Sequence, residues 1–226
     1  MGGKVAALAE YLGFNILRCD PPRAAAEGPE RFCSLEHLLE NSDVVTLHVP
    51  LDETTRGMAN ADFFTLMKPG AIFINAARGE IVDEQALLEA SPKFGAIVID
   101  TWNNEPDINE ELVETADIAT PHIAGYSADG KANGTMASVR TVARKLGLPL
   151  CEWTPEGIPA PEQELTFTID ASGKSKQDVL SEAVLHTYQV LDDDAALRAN
   201  PELFEKLRGD YPIRREFTAF NINLVG

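Results

Sequence analysis

Three side chains suited to acid–base chemistry each come a few residues after a short apolar run: Arg78, Glu105 and His122. Apolar runs of this length are typical of buried parallel strands, whose carboxyl ends share one edge of the sheet, where open α/β sheets bind ligands. We therefore predict that the three side chains lie on one rim. A histidine is a suitable base because its ordinary pKa lies near neutrality. A glutamate can orient it, and an arginine can hold a substrate carboxylate with two hydrogen bonds.

Each of these residues also has a simpler interpretation when it is taken alone. His122 could cap a strand end, Arg78 could form a surface ion pair and Glu105 could be a solvated loop acid. The three types together, each at a strand end, favour a catalytic set over three independent surface residues.

The composition excludes several classes of partner. The chain has 19 basic and 36 acidic residues and a net charge of −17, which disfavours nucleic acid or an anionic membrane as a partner. The three cysteines are spaced neither as a disulfide framework nor as a zinc site, so we predict no metal and a reducing, cytoplasmic setting. No run approaches the length of a transmembrane helix or resembles a signal peptide.

Strands alternate with short helices over the first part of the chain, which predicts an α/β fold with a doubly wound parallel sheet. All-apolar strand interiors such as Ala96–Ile99 predict that the sheet is covered on both faces. The predicted strands are Asn15–Cys19, Asp43–Val49, Ala71–Asn75, Gly95–Asp100 and Asp117–Thr120.

The pattern changes after a long predicted helix, Ser127–Leu146. We predict a first domain over 1–150, a proline-rich linker over 151–162 and a small α+β domain over 163–226. The predicted elements of the small domain are strands Leu165–Ile169 and Phe220–Leu224, each with one buried face, and a helix from Asp178 to Leu191.

Three motifs occur in order: Asn75–Gly79, Asp100–Pro106 and Pro121–Gly125. Together they resemble the D-isomer-specific 2-hydroxyacid dehydrogenases over residues 1 to about 147. The resemblance implies a Rossmann-like domain, NAD as the cofactor and hydride transfer to or from a 2-hydroxy acid. It also implies that the residues in the motifs, Arg78, Glu105 and His122, are catalytic.

A narrower likeness is to a branch of this family that acts on a phosphorylated 2-hydroxy acid and forms a homodimer through its C-terminal domain. Four short segments carry it: Cys19–Arg23, Gly125–Lys131, Asp192–Asp194 and Arg214–Glu216. The implied partners are therefore a small anionic substrate and a second copy of the chain.

Asp20 lies 18 residues after Gly2, close to the spacing at which an acid meets the adenosine ribose of NAD. Arg23 keeps NADP open, and Asp20 could instead cap a turn. The resemblance implies further contacts: Gly2, His48, Val49, Ala76, Ala77, Asp100 and Gly125 with the cofactor, and Arg78 and Tyr126 with the substrate.

The chain departs from the family pattern at its beginning. Gly2 matches the last glycine of the G-x-G-x-x-G turn, so we expect that the family's first strand, first two glycines and part of its substrate domain are missing here. We therefore expect exposed apolar sheet edges and no turnover by this chain alone. The alternatives are a dehydrogenase of phosphoglycerate, glyoxylate or lactate, a non-catalytic NAD-sensing module, and a fragment that only dimerises.

Overall fold

The computed structural model describes residues 1–226. By internal contacts the chain divides into two compact units. The first unit comprises Met1–His122 and Ala196–Glu205, and the second comprises Ile123–Ala195 and Lys206–Gly226. The proposed domain boundaries at residues 150 and 163 stay a prediction.

The first unit is built on a four-stranded sheet in the order β1-β2-β3-β4, and all neighbouring strands are parallel. The strands are β1 Val44–Leu47, β2 Ile72–Asn75, β3 Ala96–Ile99 and β4 Ile118–Ala119. Their last residues are in register, since Leu47 pairs with Asn75, Asn75 with Ile99, and Ile99 with Ala119. The segments that follow the four strands therefore leave the sheet at one edge, and the predicted parallel sheet is confirmed.

Six α-helices belong to the first unit: α1 Gly2–Tyr11, α2 Pro21–Glu27, α3 Leu35–Asn41, α4 Ala61–Leu66, α5 Glu84–Ala90 and α6 Glu110–Thr115. The side chains of Ser34, Asn60, Asp83 and Asn109 accept hydrogen bonds from the backbone N–H three residues on, at the starts of α3 to α6. Such N-caps satisfy donors that a helix leaves open, so they fix where each helix begins.

One face of the sheet carries the core. Phe73 of β2 is fully buried and meets Phe63 and Phe64 of α4 edge to face, with ring centroids 6.3 and 5.3 Å away. Residues of the opposite face are only partly buried, and Val44 is 39% exposed. The predicted cover on both faces is therefore less complete on this face than on the face that carries the core.

The predicted strand Asn15–Cys19 is absent. The segment pairs with no strand of the sheet, and the Cys33 amide donates one hydrogen bond to the Arg18 carbonyl, 2.8 Å away. A strand requires a ladder of such bonds with a neighbour, and this segment has no such ladder. Pro21 and Pro22, which follow the segment, begin α2 at the first helical positions, where the missing N–H costs nothing.

The remaining elements are α7 Ala128–Leu146, β5 Thr166–Asp170, α8 Lys176–Thr187, α9 Val190–Ala199, α10 Phe204–Gly209 and β6 Asn221–Val225. The single helix expected from Asp178 to Leu191 was wrong, because Tyr188 is extended and separates α8 from α9. β5 and β6 pair in parallel, yet every residue of β6 is exposed, so its predicted buried face was wrong: a two-stranded sheet offers it little cover. No helix of the chain combines the length and apolarity needed to cross a membrane.

Candidate active site

The turn after β2 is organised by Asn75, whose side chain is buried. Its amide nitrogen donates to the Arg78 carbonyl at 3.0 Å, and its amide oxygen accepts from the Ala77 N–H at 3.1 Å. Arg78 itself is exposed, and its guanidinium donates back to the Ala77 carbonyl at 2.6 Å. The turn is therefore rigid at its base, with a guanidinium at its tip whose remaining donors can bind a carboxylate.

His122 and Glu105 form a hydrogen-bonded pair. The His122 Nδ1 lies 2.8 and 3.0 Å from the two carboxylate oxygens of Glu105, and both side chains are mostly buried. An ionised carboxylate only accepts, so Nδ1 carries a proton, and in the neutral ring Nε2 then presents a lone pair. Glu105 is held in turn by the Trp102 N–H, which donates to its Oε1 at 3.0 Å. The pair has the composition of a general base with its orienting acid.

The backbone of His122 has a φ of 55°, in the left-handed region that side chains other than glycine rarely adopt. A non-glycine residue held there costs about 1–3 kcal/mol, and such residues cluster at functional sites. The His122 N–H donates to the Thr120 carbonyl at 3.0 Å, which closes a tight turn directly after β4. The turn directs the imidazole to Glu105 rather than along the strand.

Gly79 joins the Arg78 turn to the Glu105 loop. A β-carbon built on Gly79 would lie 2.0 Å from the carbonyl carbon and oxygen of Trp102 and 2.4 Å from the Asn103 nitrogen. The two backbones therefore touch where glycine has no side chain. Arg78 thus precedes a residue in contact with Trp102, and the Trp102 N–H holds Glu105.

Three buried residues with polar groups, Asp100, Trp102 and Thr120, lie beneath the His122–Glu105 pair and are bonded to one another. Trp102 is 2% exposed, and its indole N–H donates to the Thr120 carbonyl at 2.9 Å. The Thr120 hydroxyl donates to a carboxylate oxygen of Asp100 at 2.7 Å. Asp100, predicted to contact the cofactor, is therefore bonded to the residue two before His122, and Trp102 is a buried packing residue.

Several predicted cofactor residues lie at the same sheet edge. Gly2 begins α1, and a β-carbon there would lie 3.1 Å from the His48 β-carbon. His48 follows β1, and its Nε2 lies 3.2 Å from the Thr46 hydroxyl. Burial, and secondly the nearby N-terminal amino group, lower the pKa of His48, which favours the neutral ring. Val49 follows directly, and both residues are half-buried.

These positions suit a dinucleotide. The open N-terminus of the ten-residue α1 offers unpaired N–H groups to a pyrophosphate, and the glycine leaves the approach free. Ala76 and Ala77 follow β2 in the same way that His48 and Val49 follow β1. Contacts of all these residues with NAD stay a prediction.

Asp20 caps α2, where its carboxylate accepts from the Arg23 N–H at 3.1 Å. This is the simpler of the two roles weighed from sequence, and the ribose contact stays a prediction. Arg23 forms two hydrogen bonds to Glu27, at 2.7 and 2.8 Å. Because its charge is already partnered, Arg23 is less available to the extra phosphate of NADP.

The last two predicted residues lie in the second unit. Gly125 is exposed, and a β-carbon there would meet nothing within 4 Å. The Tyr126 ring packs edge to face on Tyr211, with centroids 5.9 Å apart, and the Lys131 ammonium lies 4.1 Å from its centre. The ammonium over the ring is a cation–π contact that adds to the packing, and substrate contact by Tyr126 stays a prediction.

The sequence did not single out Asn75, Gly79 or Thr120, although each shapes the site. Asn75 and Gly79 lie within a motif quoted for the family, and a buried polar residue at a strand end is a usable signal. The contact of Gly79 with Trp102 had no local signal, because the two residues are far apart in sequence.

Comparison with known proteins places this geometry in a family. Residues 1–124 match the NAD-binding domain of the D-isomer-specific 2-hydroxyacid dehydrogenases. Residues 161–225 match a second domain, whose function is unknown.

Among curated proteins, the chain is 43% identical over 229 residues to the erythronate-4-phosphate dehydrogenase of Bacteroides thetaiotaomicron, covering 98% of this chain and 62% of that protein. It is 39% identical to the erythronate-4-phosphate dehydrogenase of Proteus mirabilis, covering 98% and 61%. The chain thus spans about three fifths of the length of these relatives.

Solved structures match about two thirds of the chain. The D-lactate dehydrogenase of Aquifex aeolicus, complexed with NAD and lactic acid, is 30% identical with a TM-score of 0.52, over 65% of this chain and 50% of that one. The D-lactate dehydrogenase of Lactobacillus jensenii, with NAD⁺, is 26% identical with a TM-score of 0.54, over 69% and 52%. The parallel sheet, the paired histidine and glutamate, and these matches lead to one conclusion: the chain belongs to the D-isomer-specific 2-hydroxyacid dehydrogenases, with NAD as their cofactor.

Proposed function

We propose that this chain is the cofactor-binding and C-terminal part of an erythronate-4-phosphate dehydrogenase. The reaction is the NAD-dependent oxidation of 4-phospho-D-erythronate to 2-oxo-3-hydroxy-4-phosphobutanoate, in the cytoplasmic synthesis of pyridoxal 5′-phosphate. The observation that carries the proposal is the His122–Glu105 pair at the carboxyl edge of the sheet. Bound NAD supplies the hydride acceptor.

The chain's own residues handle the proton and the orientation of the substrate. The lone pair of His122 Nε2 takes the proton of the hydroxyl group as the carbon–hydrogen bond gives up its electron pair, so that a carbonyl forms. Glu105, already bonded to Nδ1, stabilises the imidazolium that results. Arg78 binds the substrate carboxylate through the guanidinium nitrogens that its turn leaves exposed.

The choice of substrate rests on how much of the chain each relative accounts for. The erythronate-4-phosphate dehydrogenases align with 98% of the chain, including its C-terminal region. The D-lactate dehydrogenase of Aquifex aeolicus aligns with 65%. Residues 161–225 also match a domain of unknown function, and we propose that the chain forms a homodimer through this region.

The test is His122→Asn in the active enzyme. Asparagine adopts the left-handed backbone of His122 readily but provides no base, so the fold should persist while kcat falls by about 10²–10⁴-fold. NADH affinity, measured by fluorescence titration, should stay within about twofold, which is the limit of a negligible energetic effect. Undiminished oxidation of 4-phospho-D-erythronate by the variant would refute the proposal.

A further inference from the structure

The loop that follows His122 is held by a residue 91 positions further along the chain. The Arg214 Nη2 donates to the carbonyl of Ile123 at 2.9 Å and to the carbonyl of Ala124 at 3.0 Å. These are the first two residues after His122, so the backbone leaving the left-handed turn is fixed at both carbonyls.

Arg214 is itself fixed by an aromatic and acidic cluster. Its guanidinium carbon lies 4.3 Å from the centre of the Tyr188 ring, and its Nη1 donates to the Tyr211 hydroxyl at 3.3 Å. The hydroxyls of Tyr188 and Tyr211 both donate to one carboxylate oxygen of Asp193, at 2.9 and 2.7 Å. A guanidinium that stacks on one ring and binds the neighbouring hydroxyl has little rotational freedom.

The next two residues hold the other end of the same loop, at the start of α7. Arg215 forms two hydrogen bonds to the carboxylate of Asp129, at 2.8 and 3.0 Å, and the Glu216 N–H donates to it at 2.8 Å. The hydroxyl of Ser127, which caps α7, donates to a carboxylate oxygen of Glu216. The Ala128 N–H donates to the Arg214 carbonyl at 2.8 Å. We call Arg214, Arg215 and Glu216 the C-terminal clamp.

We infer that the C-terminal clamp positions His122, with Arg214 as the positioning residue nearest to it. This rests on the proposed function only in taking His122 as the base. The left-handed backbone of His122 is unfavourable by itself and persists only when its surroundings determine it. The paired carbonyls of Ile123 and Ala124 supply that constraint on the side away from β4. Without it the turn can relax, and the imidazole then loses its alignment with Glu105.

The structure offers a matched control in the first unit. The guanidinium of Arg198 also donates to two backbone carbonyls, those of Val113 and Ala116 at the end of α6. Replacing Arg198 by Met removes the same kind of interaction from the end of α6, which β4 separates from the turn at His122. The variants to compare are therefore Arg214→Met, Arg214→Lys and Arg198→Met.

The readout is the Nδ1 proton of His122, observed by ¹⁵N-edited NMR of the 226-residue chain and assigned by its absence in His122→Asn. In Arg214→Met we expect this proton to exchange with solvent at least about tenfold faster, the equivalent of one lost charge-assisted hydrogen bond. Arg214→Lys keeps the positive charge but lacks the planar guanidinium, so the exchange of the Nδ1 proton should accelerate less than in Arg214→Met. Arg198→Met should match the unmodified chain.

An unchanged exchange rate in Arg214→Met would overturn the inference, as would an equal acceleration in Arg198→Met. If circular dichroism shows that Arg214→Met does not fold, the exchange rate in Arg214→Lys is compared with that of the unmodified chain instead, and an unchanged rate there overturns the inference. In the active enzyme, Arg214→Met should lower kcat by about tenfold with little change in the NADH Kd. The NMR measurement needs no turnover, so failure of 4-phospho-D-erythronate as a substrate would refute the proposed function while leaving this result intact.

Discussion

The α-carbon of Gly79 lies so close to Trp102 that a β-carbon would stand 2.0 Å from its carbonyl group. This contact connects the turn that carries Arg78 to the loop in which Glu105 holds His122. The backbone segments that carry the candidate catalytic side chains are thus in direct contact, and the contact leaves no space for a side chain at Gly79.

Gly79→Ala should therefore damage both stability and the site. The added methyl group meets backbone atoms, which cannot rotate away, and overpacking of this kind costs about 1–3 kcal/mol. The free energy of unfolding in urea measures the loss. Gly134→Ala is the control, because a β-carbon on Gly134 in α7 meets nothing within 4 Å and alanine favours the helix by up to about 1 kcal/mol. Equal stabilities for the two variants would contradict the contact.

Glu105→Gln should separate two roles of Glu105, the orientation of the His122 ring and the stabilisation of its positive charge. The amide oxygen can still accept from His122 Nδ1, but the negative charge that stabilises the imidazolium is gone. We expect kcat in the active enzyme to fall by about 10²-fold or more, the usual size of a general acid–base contribution. The NADH Kd should be unchanged. Glu114→Gln, at an exposed position of α6, serves as the control and should keep full activity.

Asp129→Asn should make the free energy of unfolding less dependent on pH in the acidic range. The hydrogen bond from Arg215, more than any other cause, lowers the pKa of Asp129, so the folded chain favours the carboxylate. That stabilisation is fully present above the ordinary pKa of about 4 and is lost as the pH falls through the lower folded-state pKa. We expect the variant to lose about 1.5–3 kcal/mol at pH 7, the range for hydrogen bonds to charged groups.

The difference between the two unfolding free energies should stay constant from pH 5 to pH 7 and shrink below about pH 4. Urea denaturation over this range provides the measurement. A difference that grows on acidification would contradict the assigned direction of the Asp129 pKa shift.

Tyr188 and Tyr211 should titrate only when the second unit opens. Burial raises the pKa of both phenols, and the hydrogen bonds they donate to Asp193 act in the same direction. The stabilisation is complete below the ordinary pKa of about 10 and is lost as the pH rises through the folded-state values.

Absorbance at 295 nm should accordingly show two of the four tyrosines ionising together with the alkaline loss of circular dichroism. Tyr188→Phe should remove one of the two coupled phenols from that step. Ionisation of all four near pH 10 with the secondary structure intact would count against the cluster.

Local chemistry made much of the first unit predictable. Short apolar runs predicted β1 to β4, and the structure confirms these four parallel strands. The prediction of a strand at Asn15–Cys19 was wrong because this segment has no neighbouring strand. An apolar run predicts a strand only when a neighbour completes its hydrogen bonds, and that condition is not written in the run itself.

The candidate site was likewise only partly predictable from the sequence. Residue types and motif order indicated that His122 and Glu105 belong together, and their hydrogen bond agrees. The left-handed backbone of His122 and the two carbonyls bound by Arg214 had no local signal. Both follow from contacts between distant parts of the chain, which neither spacing nor propensity encodes.

The distance in sequence between Ile123 and Arg214, 91 residues, also has a meaning for biosynthesis. At a translation rate of about 5–20 residues per second, several seconds pass between the emergence of the two from the ribosome. Throughout that interval the nascent sheet can already form, since its four strands end at Ala119. The carbonyls of Ile123 and Ala124 can bind the Arg214 guanidinium only after that later segment has been synthesised.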